Sequence, residues 1–99
     1  MDLIENAKKQ VSEYLVLILN AENEAEINDY ASNIMQVVNG FATNPMIVEM
    51  VEKIVLNDLN IVVANSKAKL YNKQRFDDKT INLSILIILQ FFDCLRTVI

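Results

Sequence analysis

The stretch Thr80–Ile99, TINLSILIILQFFDCLRTVI, decides most of what this chain can fold into. Thirteen of the nineteen residues from Ile81 onward are apolar. On a helix of about 3.6 residues per turn, Asn82, Gln90, Asp93 and Thr97 form one narrow polar seam, with Ser84 off it. A helix that is apolar over most of its girth has to be covered on several sides. A membrane span needs about 18–20 near-continuous apolar residues, and Gln90, Asp93 and Arg96 interrupt this one. The stretch therefore reads as the central helix of a soluble core, and the protein as cytoplasmic.

Glycine occurs once, at Gly40, and proline once, at Pro45. An all-β chain needs turn signals every few residues, so the long uninterrupted segments favour helices. The sequence predicts an all-α fold, a single helical domain over residues 1–99. A first helix opens on Asp2, with Glu5 three residues on in a capping-box arrangement, and stops at Asn20. A second runs from about Asn23 to Asn39, with Gly40 expected as a left-handed C-cap and Phe41 folded back onto the helix end. Asn44 and Pro45 are a strong start signal for a third helix, reaching at least Ala64, with breaks expected at Asn57–Asn60 or Asn65-Ser66. The β-branched run in Asn60–Ala64 leaves a short strand there as the competing reading. Asp77 or Asp78 caps the fourth helix. The expected architecture is a four-helix arrangement with a long third helix, in an intertwined homodimer.

The dimer follows from apolar excess. Leu15–Leu19, Ile54–Leu56, Ile61–Ala64 and Ile85–Leu89 are apolar on more than one face, and soluble monomers rarely leave large apolar patches bare. Ile85, Ile88, Leu89, Phe92 and Leu95 are the candidate residues of the core or dimer interface. The competing reading is a tightly packed monomer.

Composition excludes much chemistry. There is no histidine, and one cysteine, Cys94. A catalytic triad, a Cys-His pair and a zinc site of the usual ligands are ruled out within one chain. A phosphate-binding glycine loop needs more than one glycine. The expectation is a non-enzymatic protein with no cofactor. Cys94 reads as a small core hydrophobe, with a disulfide across a two-fold axis as the alternative, and Asp93 and Arg96 as an i,i+3 ion pair. The abundant Asn and Ile, twelve of each, suggest an A/T-rich genome and a viral or phage origin.

Charge is unevenly placed. Residues 1–66 hold ten acids and three bases, and residues 67–99 three acids and six bases. Two surfaces stand out. Glu22, Glu26 and Asp29 share a helical face beside Glu24. Lys67, Lys69, Lys73, Arg75 and Lys79 are interleaved with Tyr71 and Phe76. The basic strip offers phosphate contacts and aromatic stacking, but Asp77 and Asp78 dilute it. The chain therefore reads as a small helical accessory protein that acts through its surface on itself and on a host or viral protein. The alternative is a small nucleic-acid-binding regulator using residues 67–79.

Overall fold

The computed structural model describes residues 2–98. They form α1 (Leu3–Leu19), α2 (Glu24–Asn39), α3 (Pro45–Met50), a π-helical turn (Val51–Val55), α4 (Leu56–Lys69) and α5 (Asp78–Val98), with no strand among them. Since α3, the π turn and α4 follow one another without a non-helical residue, the chain makes four helical passes.

Short polar side chains start these helices. The Asp2 carboxylate accepts from the N–H groups of Ile4 and Glu5 at 2.9 and 3.3 Å. Asn23 accepts from Glu26 N at 2.9 Å, Asn44 from Ile47 N at 3.0 Å, and Asp77 from Thr80 N at 2.7 Å. Each cap satisfies N–H groups that have no partner inside the helix. Pro45, at the first position of α3, gives up an N–H that would have been unpaired in any case.

The π turn answers a hydrophobic pattern. Ile47, Val51, Val55 and Leu59 are all buried, each four residues after the last. In a strict α-helix a step of four overshoots one turn by about 40°, so the fourth residue would sit about 120° off the line of the first. A π-helical turn is wider and absorbs much of that drift. The Leu56 N–H closes it by donating to Val51 O. The irregularity lies here, and not at Asn57–Asn60 or Asn65-Ser66, which are helical; Asn60–Ala64 is likewise helix, not strand.

Two helix ends differ from expectation. Gly40 is not left-handed: φ is −60° and ψ −22°. α2 ends by tightening, with Phe41 N donating to Val38 O at 3.0 Å and Ala42 N to Asn39 O at 3.1 Å. The left-handed residue is Asn72, with φ 58°. Around it Lys73 N donates to Ala68 O at 3.1 Å and Asn72 N to Lys69 O at 3.0 Å, the paired bonds of a Schellman motif. The segment after α4 thus ends in a defined stop.

The molecule measures 42 × 22 × 20 Å with a radius of gyration of 13.4 Å. The 25 residues from Pro45 to Lys69 would be about 37 Å long at the α-helical rise, which fits that long axis. The core closes within one chain. Val11, Ile34, Val55, Ile88 and Phe92 are all fully buried. Phe92 meets Phe91 edge-on at 5.3 Å and Phe41 at 6.2 Å, a favourable arrangement of ring quadrupoles.

α1 and α5 run antiparallel, and their charges fix the register. Lys8 pairs with Asp93 at 3.1 Å, and Arg96 with both Asp2 and Glu5 at 2.6 Å. The expected Asp93–Arg96 pair within α5 is therefore absent, because each residue finds a partner on α1 instead. Glu5 likewise turns to Arg96 rather than closing a capping box. Cys94 is exposed rather than in the core. It sits on the outward side of α5, one helical turn from Gln90. By length and composition α5 is sufficient to cross a membrane; here Ile81, Ile88, Phe91 and Leu95 are buried against the rest of the chain.

Candidate interaction surfaces

The residues expected at a core or dimer interface divide in two. Ile88, Phe92 and Leu95 are fully buried inside the single chain, and Ile85 and Leu89 are half-buried. Apolar side chains remain outside at several places, Leu3, Met46, Val48 and Leu56 among them, and a group of them lies beside these core residues. Leu83 is 55% and Leu86 52% exposed, and on α1 Val16 is 53% exposed. Sequence periodicity flagged the runs Leu15–Leu19 and Ile85–Leu89 but missed Leu83. The available signal was its seven-residue spacing from Gln90, which puts it on the outward seam.

The helix pairing brings these groups to one side. Leu86 lies two turns before Asp93 on the same face of α5. Along antiparallel α1, Leu15 and Val16 lie two turns beyond Lys8. The Lys8–Asp93 bridge therefore points along the seam where Val16 and Leu86 meet solvent. Nearer the bridge, a groove of about 350 Å³ runs past Lys8, Lys9, Ser12, Glu13 and Leu89. The outer side of the α1–α5 pair is thus ion-paired at one end and carries exposed apolar groups past its centre.

The basic strip and the acidic face come together at the opposite end. Lys69, Tyr71, Lys73 and Arg75 are exposed, and Lys67 is half-buried. None of the four cations makes an ion pair among the described residues. The loop that carries them is pinned from within. Asn65, 2% exposed, accepts from Arg75 N at 3.0 Å and from Phe76 N at 2.9 Å. The Arg75 guanidinium stands 5.8 Å from the Phe76 ring centre, within reach of a cation–π attraction.

Tyr71 donates its hydroxyl to Glu24 at 3.3 Å. It joins the basic strip to the acidic start of α2, two surfaces that looked independent in the sequence. Beside it, Glu26 accepts from Glu22 N at 3.1 Å, so Glu26 braces the turn into α2. The result is a mixed-sign surface and not a broad cationic field.

Among the described residues, no three His, Cys, Asp or Glu side chains gather in a metal-binding arrangement. Glu49 pairs with Lys53 one turn along the helix, and that contact, through Lys53, holds the Glu49 carboxyl below its ordinary value. No protein-family model, curated protein or solved structure matches this chain.

Proposed function

We propose that this is a non-enzymatic helical interaction protein that works as a homodimer, paired through the outer side of α1 and α5. The observation that carries the reading is the exposure of Val16, Leu83 and Leu86 beside a core that is already complete. Fully burying a leucine side chain contributes about 1.5–3 kcal/mol, and a two-fold axis counts each contact twice. A standard interface hides about 800 Å² on each partner, a modest share of the 6045 Å² this chain exposes. Since each core closes within one chain, two complete chains laid face to face are favoured over an intertwined pair.

Such a dimer displays two copies of the mixed-charge end carrying Glu24, Tyr71, Lys73 and Arg75. Its role is to present that surface to a protein partner, and its mechanism is steric and electrostatic. The test is equilibrium sedimentation of the wild type beside Leu83→Glu/Leu86→Glu. The wild type is expected to associate and the variant to stay monomeric with unchanged helical content. Equal behaviour of the two overturns the proposed face.

A further inference from the structure

Where α1 ends and α5 begins, the helices leave a cleft of about 340 Å³, at the small end of the range for ligand pockets. Leu19 and Ile81 give it an apolar wall, and Asn20, Asn65, Lys69, Asp78 and Asn82 bring polar groups. Three features of those groups point to a ligand.

The first is Asn65. Its residue is 2% exposed. Its carbonyl oxygen is spent on the Arg75 and Phe76 N–H groups. Asn65 is among the residues that line the cleft, and its amide nitrogen makes no side-chain hydrogen bond among the described residues. Only Ser66 Oγ is a fully enclosed side-chain atom without a partner among the described residues, so the Asn65 donors keep contact with solvent and are open to a ligand that replaces it. The second is Lys69, one turn further along α4 on the same face, whose ammonium makes no ion pair among the described residues. The third is Asp78, on the α5 side, whose carboxylate also makes no ion pair there and accepts only from Gln74 Nε2 at 3.4 Å. A free cation and a free carboxylate thus line one cleft without neutralising each other.

We infer that this cleft binds a small zwitterion, a free α-amino acid with an apolar side chain. The α-carboxylate takes the donors of Asn65 and Lys69. The α-ammonium takes the Asp78 carboxylate, with the Asn20 carbonyl oxygen as a second acceptor, since Asn20 commits only its NH₂, to Val16 O at 3.0 Å. The aliphatic side chain covers Leu19 and Ile81. Sequence reading assigned Lys69 to a solvated strip and Asp78 to a helix cap; the fold places both in one cleft.

The test is a titration of the ¹⁵N-labelled full chain with L-leucine, followed by the backbone and side-chain amide signals of Asn20, Asn65, Lys69 and Asn82. Two probes each lack one charge: 4-methylpentanoate has no ammonium, and 3-methylbutylamine has no carboxylate. L-leucine is expected to shift these four residues together and saturably, and each half-ligand to bind at least about tenfold more weakly, which is about 1.4 kcal/mol. Lys69→Met and Asp78→Asn are each expected to weaken L-leucine by about tenfold or more, while Lys73→Met, outside the cleft, leaves it unchanged. All three positions are exposed, and unchanged helical content shows that the variants fold. No shift at these residues up to about 20 mM L-leucine, which corresponds to less than about 2.5 kcal/mol of binding, overturns the inference. So does binding that neither cleft variant alters, or half-ligands that bind as well as leucine.

Discussion

Arg96, near the end of α5, is held at 2.6 Å by the Asp2 carboxylate that caps the start of α1. Ninety-four positions apart in the chain, the two residues clasp the helix pair, and Arg96 reaches Glu5 with its other amino group. Arg96→Gln removes the charge and the fork and shortens the side chain while keeping it polar. It is expected to lower the urea midpoint, and to lower it less as salt is raised, because an exposed ion pair is screened. A midpoint that does not move shows that the clasp is ornamental to stability.

The same contact gives stability a pH dependence. The Arg96 guanidinium, and the N–H groups of Glu5 and Ile4 that Asp2 caps, hold the Asp2 carboxyl below its ordinary value of 3.8. Asp77 is lowered too, by its bonds to Thr80. For a carboxyl depressed in the folded state, the stabilisation is complete above the unfolded value and disappears as pH falls through the folded one. Urea midpoints are therefore expected to hold between about pH 7 and 5 and to fall below about pH 4. Asp2→Asn is expected to flatten that acid limb; an unchanged limb contradicts the assignment.

Asn72 is the only non-glycine residue with positive φ among those described. A left-handed residue with a β-carbon costs roughly 1–2 kcal/mol, which Asn tolerates better than most. Asn72→Ala is expected to lose about 1 kcal/mol in chemical denaturation, and Asn72→Gly to lose nothing or gain slightly. The reverse order rules out the Schellman stop.

Phe92 fixes the centre of the core. It is fully buried between Phe91 and Phe41. Phe92→Ala is expected to cost about 3–5 kcal/mol, a large part of the roughly 5–15 kcal/mol of a small domain. Calorimetry should show a broad or missing transition; a sharp one within a few degrees of wild type places the core elsewhere.

How legible this fold was depended on which residues punctuate it. With one glycine and one proline, the chain marks its ends with asparagine. Asn23 and Asn44 start helices, Asn20 ends α1, Asn72 turns the chain after α4, and Asn65 pins the loop that follows. Asn44-Pro45 is a strong local signal and was readable. Asn72 was not, because an asparagine in a polar stretch has no neighbour that distinguishes a left-handed stop from a solvated helix. The π turn had a signal in the four-residue spacing of Ile47, Val51, Val55 and Leu59, which a template of 3.6 conceals. The exposure of Cys94 had a local signal in its place one turn from Gln90, whereas the partners of Asp93 and Arg96 depend on the register of α1 against α5. No local pattern carries that register. Tyr71 and Glu24 met for the same reason, and their contact joined two surfaces that the sequence held apart.

The central claim is that Leu83 and Leu86 are exposed in one chain because a second chain covers them. Absolute mass by light scattering, measured across a concentration series, tests it most directly. The account predicts a mass approaching twice 11.3 kDa for the wild type and 11.3 kDa for Leu83→Glu/Leu86→Glu. A wild-type chain that stays at 11.3 kDa at the highest concentration contradicts it.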